Sequence, residues 1–204
     1  MEALKGSVLR KDPFEYLIVA GLLDPARQSE VLKDFPKLPS AGSFALSGLS
    51  YGQSFRSILS ELTSGRFPEA LGEKLGMELS QYPTMATVRG KSRPKDGKIH
   101  ADNPSKLVTL LLYLGGTDEA REGRLRLLNS PTDIDAYAEE VAPDYGTMLV
   151  FKNAPNAWHG FRSYAGERRV IQVNWVTDLQ YARREEARHS LSALVKTLLP
   201  LRAN

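Results

Sequence analysis

The fold of this chain is decided by the stretch Lys98-Ile99-His100-Ala101-Asp102-Asn103. If this stretch is extended, His100 and Asp102 lie on the same side of it, because side chains alternate along a strand with a period of two. An imidazole nitrogen and a carboxylate oxygen on one side of a strand can bind one metal ion. The stretch therefore predicts part of a metal site.

A second imidazole comes from Asn156-Ala157-Trp158-His159-Gly160-Phe161. The chain has three His, and the third, His189, lies among charged residues, where we expect a surface position. Two His and one carboxylate with open coordination positions form the facial triad of non-haem Fe(II) oxygenases. We therefore predict that His100, Asp102 and His159 bind one divalent ion and are the catalytic residues.

The order of these motifs resembles that of the 2-oxoglutarate/Fe(II) dioxygenases, in particular their prolyl-4-hydroxylase-like branch. His159 follows Asp102 by 57 residues, and Gly166-Glu167-Arg168-Arg169 then leads into a strand-like run. The resemblance covers about residues 13 to 176. It implies a mainly β fold with flanking helices, built on a double-stranded β-helix, which is a cupin-like jelly roll.

The resemblance also implies Fe(II) and 2-oxoglutarate as cofactors. The implied reaction hydroxylates an unactivated C–H bond and releases succinate and CO2. The far carboxylate of 2-oxoglutarate needs a cation, and an Arg fork matches a carboxylate in geometry and charge. Arg168 shares its strand face with Gln172 and Asn174, whereas Arg169 shares its face with apolar residues. Because the pocket face should be the more polar one, we predict Arg168 as the anchor, with Arg169 as the register alternative.

Other pocket residues are predicted with less direct support from motifs. Many members of the family have a Tyr about ten residues before the first metal-binding His. Here that region reads Thr87-Val88-Arg89-Gly90, so Thr87 or Arg89 takes its place. We predict two further co-substrate contacts and four substrate-pocket candidates: Thr87 and Gln172 for the co-substrate, and Arg89, Asn103, Trp158 and Asn174 for the substrate.

The patterning predicts one domain over residues 1–204. Apolar residues at helical spacing predict helical support over about 24–80, and alternating or continuous apolar runs predict the β-helix core over about 84–176. A charged amphipathic helix is predicted over about 179–199. Within these segments, residues 36–52 are interpreted as a loop, and residues 132–142 as a loop with a short helix.

The composition excludes several classes of protein. The chain has no Cys, so any metal must be held by nitrogen and oxygen ligands. Its net charge of +3 is mild and gives no argument for a nucleic-acid partner. The apolar run at residues 16–23 is too short to span a membrane and lacks the pattern of a signal peptide, so we expect a cytoplasmic protein without a membrane partner.

Two alternatives remain open from the residues alone. One is a cupin-like metalloenzyme that does not use 2-oxoglutarate, and the other is a non-catalytic β-helix binding module. The substrate, whether peptidyl or a small molecule, has no motif that identifies it. The sequence likewise contains no pattern that determines the oligomeric state.

Overall fold

The computed structural model describes residues 2–116, 123–185 and 187. Within this part of the chain, the strands are β1 (Tyr16–Val19), β2 (Ser43–Ala45), β3 (Thr84–Ser92), β4 (Lys106–Gly116), β5 (Leu125–Leu128), β6 (Tyr137–Val141), β7 (Met148–Lys152), β8 (His159–Gly160) and β9 (Gly166–Val176). The α-helices are α1 (Glu2–Gly6), α2 (Gln28–Lys33), α3 (Gln53–Thr63) and α4 (Arg66–Leu75). Three 3-10 helices cover Pro25–Arg27, Leu46–Gly48 and Leu79–Gln81.

Six strands form the larger sheet, in the order β1-β7-β4-β9-β3-β2. Every pairing between neighbouring strands of this sheet is antiparallel. The long strands β4 and β9 lie in the middle, where Leu111 pairs with Gln172 and Thr109 with Asn174. The alternation of side chains along these strands gives the sheet two different faces.

One face of the larger sheet packs against the helices. Apolar residues on α3 and α4 recur at helical spacing, and Phe55, Ile58, Leu62 and Leu71 are buried in a core that also contains alternate residues of the sheet. The helix α4 ends at Gly76, whose φ of +63° is one that other L-residues rarely adopt. This helical layer covers one face of the larger sheet, so that a site can form only on the other face.

The other face of the larger sheet packs against a smaller sheet of order β6-β5-β8. Tyr113 and Val170 from the larger sheet share an apolar core with Leu125 and Leu127 of β5. At one edge of this sandwich, His100 and His159 form an isolated antiparallel bridge. The two sheets thus enclose a space that the metal-site stretch adjoins.

Several local expectations are wrong. Residues 43–45, expected in a loop, form the edge strand β2, which pairs with β3. Residues 137–141, expected in a loop with a short helix, form β6, which pairs with β5 and places Val141 in the apolar core. His100 lies in a single bridge rather than in a strand, and residues 101–103 are irregular.

The mainly antiparallel β architecture is confirmed. Residues 179–185 and 187 are helical, and the rest of the predicted C-terminal helix, with His189, lies outside the described residues. Among the helices that the structure describes, none has the length and apolarity needed to cross a lipid bilayer.

Candidate active site

A cavity of about 250 Å³ opens between the two sheets, beside the His100–His159 bridge. Its wall combines alternate residues of β3, β4 and β9 with residues of the smaller sheet and of the segment before β4. Polar and charged side chains line it at both ends. They include His100, Asp102, His159, Thr87, Arg89 and Arg168.

The two His are joined directly through their backbones. The His100 amide donates to the His159 carbonyl over 3.0 Å, and the His159 amide donates to the His100 carbonyl over 2.9 Å. This pairing places the two rings 4.3 Å apart, measured between centroids. The metal-site stretch needs no regular strand, because one bridge is enough to bring the imidazoles together.

Each imidazole is oriented by a backbone carbonyl. Nδ1 of His100 lies 2.8 Å from the carbonyl oxygen of Lys98, and Nδ1 of His159 lies 2.9 Å from that of Ala157. A ring nitrogen beside a carbonyl oxygen must carry the proton, so the neutral tautomer leaves Nε2 as a free acceptor. This arrangement is the usual one for metal-binding His.

The carboxylate of Asp102 is held on both oxygens. Lys106 Nζ donates to Oδ1 over 2.7 Å, and the Thr109 hydroxyl donates to Oδ2 over 2.6 Å. Burial alone would raise the pKa of Asp102, but the charge of Lys106 and the hydrogen bonds from Lys106 and Thr109 outweigh burial, so its pKa lies below the ordinary value. The carboxylate is therefore ionised at neutral pH, as a metal ligand must be.

A chain of hydrogen bonds extends from Asp102 into the larger sheet. Thr109 accepts a hydrogen bond of 2.7 Å from the amide nitrogen of Asn174, whose amide oxygen accepts one of 3.0 Å from Gln172. Asn174 is fully buried and Thr109 almost so. Because each member is fixed by its neighbours, the network fixes the position of the Asp102 carboxylate.

His159 is buried and neutral. Its pKa is lowered from 6.5 to about 4, mainly by burial and also by the nearby His100, while Asp102 opposes the shift. The ring packs 4.9 Å from that of Phe151. A neutral imidazole at physiological pH has a lone pair available for a metal.

The three side chains fit a metal ion. One ligand atom from each of His100, Asp102 and His159 can be chosen so that all three lie within 4.8 Å of one another. Two imidazole nitrogens and one carboxylate oxygen, open on the cavity side, match the donor set of non-haem Fe(II) sites. The sequence had predicted this same set from spacing.

Arg168 lies at the other end of the cavity. Its Nε donates to the Gly123 carbonyl and its Nη2 to the Tyr113 hydroxyl, each over 2.9 Å. The guanidinium carbon is 4.5 Å from the ring centroid of Phe161 and 5.1 Å from that of Tyr113. The group is thus rigidly held, and within the described part of the chain Nη1 has no partner and can bind a ligand.

Arg169, the register alternative, does not line this cavity. It lies on the opposite side of β9, where it forms an ion pair of 2.7 Å with Glu167. The structure therefore brings Arg168, and not Arg169, to the same cavity as the triad.

The other predicted pocket residues divide into two groups. Thr87, Arg89 and Gln172 line the cavity. Asn103 and Trp158 do not line it: the Asn103 side chain accepts a hydrogen bond from the amide of Ser105, and Trp158 follows the turn at residues 155–156. Asn174 is buried behind the wall and contacts the network rather than the cavity.

Three important residues were not singled out from the sequence. Thr109 and Tyr113 lie within the apolar run of β4, and Lys106 begins that strand. One signal was available for two of them: residues 109, 111 and 113 share one face, and two of these three carry hydroxyl groups. Polar atoms on one face of an otherwise apolar strand indicate that this face lines a binding site.

Comparison with known proteins supports this interpretation. The family model described as the 2OG-Fe(II) oxygenase superfamily matches residues 88–177, which carry all three triad residues and Arg168. No curated protein matches the chain by sequence.

Solved structures share the fold at low sequence identity. A Pseudomonas putida prolyl-4-hydroxylase is 14% identical, with a TM-score of 0.53 over 80% of this chain and 92% of that one. A 2OG-Fe(II) oxygenase family oxidoreductase from Burkholderia pseudomallei is 16% identical, with a TM-score of 0.52 over 79% and 84%. A Trichoplax adhaerens prolyl hydroxylase in complex with a hypoxia inducible factor peptide fragment is 15% identical, with a TM-score of 0.51 over 84% and 86%.

These likenesses confirm the jelly-roll fold. The family match implies Fe(II) and 2-oxoglutarate, and the donor set of His100, Asp102 and His159 fits the metal. Residues 88–177 thus match the 2OG-Fe(II) oxygenase superfamily, and the predicted resemblance to dioxygenases that use Fe(II) and 2-oxoglutarate is confirmed.

Proposed function

We propose that this enzyme hydroxylates an unactivated C–H bond, with Fe(II) held by His100, Asp102 and His159 and 2-oxoglutarate anchored by Arg168. The observation that carries the proposal is that one cavity has the triad at one end and a rigid guanidinium at the other. The balanced reaction converts 2-oxoglutarate, O2 and R–H into succinate, CO2 and R–OH.

The metal-binding role of the triad is supported by the hydrogen bonds that orient its three side chains. Carbonyl oxygens at Lys98 and Ala157 orient both rings so that Nε2 is free. The Asp102 carboxylate keeps lone pairs beyond those used by Lys106 and Thr109, because a carboxylate has about four acceptor sites. When bound, Fe(II) and 2-oxoglutarate would supply the electrons that activate O2, which is the oxidant, and the protein supplies orientation and a shielded space.

The anchoring role of Arg168 rests on its confinement. Two of its nitrogens are fixed by Gly123 and Tyr113, so little side-chain entropy is lost when a carboxylate binds the rest. Burial in apolar surroundings strengthens a charge-assisted pair by lowering the local dielectric. Thr87 and Gln172 lie on the wall between the anchor and the triad, where they can donate to the body of the co-substrate.

The substrate is proposed to be a peptide segment or a small molecule. One structural neighbour is a prolyl hydroxylase seen with a peptide fragment. A shallow groove along residues 94–99 and 161–163 shares Gly97 and Phe161 with the cavity and could receive such a substrate. We further propose that the described residues act as one domain, since both core clusters include side chains of the larger sheet.

The test measures 2-oxoglutarate consumption and succinate release by the purified protein with Fe(II) and O2. We expect slow turnover without substrate, and faster turnover when peptides or metabolites containing the right C–H bond are added. Loss of both activities in the Arg168→Met variant, with metal binding retained, is the expected control. If the metal-loaded protein neither binds nor consumes 2-oxoglutarate, the proposal is wrong and a metalloenzyme independent of this co-substrate is favoured.

A further inference from the structure

The cavity contains a second guanidinium besides that of Arg168. Arg89 of β3 pairs with Val170 of β9, and Val170 pairs with Tyr113 of β4 on its other side. Arg168 lies two residues from Val170 along β9, which is about 7 Å at 3.3 Å per residue. Both guanidinium groups therefore belong to the same end of the cavity.

The metal end lies farther along the same strands. Asn174, which holds Thr109 and through it Asp102, pairs with Met85 of β3. Arg89 is four residues from Met85, or about 13 Å along the strand. A group bound at Arg89 is thus remote from the metal and close to Arg168.

Arg89 is only partly saturated by the protein. Its Nη1 donates to Asp96 over 2.6 Å and its Nη2 to the Ser43 hydroxyl over 3.0 Å. An arginine has five N–H groups, so three remain without a partner in the part of the chain that the structure describes. With 20% of its side chain exposed, Arg89 is mostly withdrawn from bulk solvent.

The counterion of Arg89 is shared. Asp96 also accepts hydrogen bonds from the backbone amide, Nε and Nη2 of Arg93. Burial lowers the pKa of Arg89, Asp96 raises it, and the charge of Arg168 lowers it again. One carboxylate thus serves two guanidinium groups, so that among the described residues at this end of the cavity the cationic side chains outnumber the carboxylates.

We propose that Arg89 and Arg168 together clamp the C5 carboxylate of 2-oxoglutarate, so that Arg89 determines the preference for a dicarboxylic co-substrate. The proposal rests on the proposed function, because it concerns the co-substrate of that site. Arg168 offers Nη1, and Arg89 offers the N–H groups that Asp96 and Ser43 leave free. Asp96 competes with the co-substrate for Arg89, so removal of its charge should not weaken binding.

The experiment is calorimetric titration of Mn(II)-loaded protein, without O2, with two ligands. One is 2-oxoglutarate, and the other is 2-oxopentanoate, which has the same carbon chain but no C5 carboxylate. For Arg89→Met we expect the dissociation constant of 2-oxoglutarate to rise about 10- to 100-fold, as for loss of a hydrogen bond to a charged group. The constant for 2-oxopentanoate should change less than about twofold.

Asp96→Asn is the matched control, since it breaks the same ion pair from the other side. We expect it to bind 2-oxoglutarate as well as or better than the wild type. If it weakens binding as much as Arg89→Met does, Arg89 acts only by holding the loop of residues 93–97, and the proposal is overturned. Unchanged 2-oxoglutarate binding in Arg89→Met, or equal losses for both ligands, also overturns it.

Two further variants separate the remaining cases. Arg89→Lys keeps the charge but not the planar guanidinium, so we expect a loss of 2-oxoglutarate affinity smaller than that in Arg89→Met. If Arg89→Met does not fold, the affinities of Arg89→Lys and Asp96→Asn test the proposal instead. If Arg168→Met weakens 2-oxoglutarate binding but Arg89→Met does not, only the role of Arg89 fails. If the wild type does not bind 2-oxoglutarate, the proposed function fails, and the clamp with it.

Discussion

Replacement of Thr109 by Val tests whether the buried network, and not the triad alone, sets metal affinity. The change keeps the shape of the side chain and removes its hydroxyl. That hydroxyl donates to Asp102 over 2.6 Å and accepts from Asn174 over 2.7 Å. Asp102 then keeps only the hydrogen bond from Lys106 on its other oxygen.

Two magnitudes follow from these contacts. Loss of a partner behind a metal ligand typically costs 10- to 100-fold in metal affinity, so the Mn(II) dissociation constant should rise by about that factor. The fully buried amide of Asn174 loses its acceptor, which costs about 1–3 kcal/mol of stability. Both effects should appear together, because one hydroxyl serves both partners.

The assay is a competition titration of Mn(II) against a chelator, with chemical denaturation of the metal-free protein alongside. Thr109→Ser is the control, since it keeps the hydroxyl and loses only a methyl group, and we expect it to retain nearly all of the metal affinity. Equal metal affinities in the Val variant and the wild type would refute the reasoning. So would a Ser variant that loses as much as the Val variant.

Three other predictions concern the site. His100→Ala and His159→Ala should each lose stoichiometric Fe(II) or Mn(II) binding in equilibrium dialysis, and full affinity in both would contradict the triad. Arg168→Met should raise the 2-oxoglutarate dissociation constant about 30- to 100-fold in calorimetry, from the loss of contacts worth about 2–3 kcal/mol, whereas Arg169→Met should leave it unchanged. The metal-free protein should lose about 2 kcal/mol of unfolding free energy between pH 7 and pH 5 through His159, because its pKa is about 4 when folded and 6.5 when unfolded, so only the unfolded state binds the proton there. Denaturation of His159→Gln over the same pH range should lack this component, and an identical pH dependence in both proteins would exclude it.

The sequence alone was sufficient to predict those features of the site that depend on the alternation of side chains along a strand and on the spacing of motifs. A period of two places residues 168, 170, 172 and 174 on one side of β9, and the structure places the first three on the cavity wall. The triad was predicted for the same reason, since few residue types bind a metal and their order along the chain is distinctive. The resemblance to a known family then supplied the jelly roll.

Tertiary structure alone decided the contacts that depend on neighbours distant in sequence. Residues 137–141 have little hydrophobicity, yet they form β6 because β5 offers a free edge. The pairing of Thr109 with Asn174, and of Tyr113 with Arg168, joins residues 55 to 65 positions apart. No local pattern specifies such pairs, because strand register is determined by the packing of whole faces against a core.

The dependence on distant neighbours also explains why some predicted pocket residues line the cavity and others do not. Asn103 and Trp158 are near the triad in sequence but not on the cavity wall, whereas Arg89, which pairs with Asp96 across a turn, reaches the cavity from another strand. A residue close to the triad in sequence must have its backbone close to the triad in space. The direction in which its side chain points depends on the sheet around it. The sequence thus determined the chemistry of the metal site, and the packing of the two sheets determined which side chains surround it.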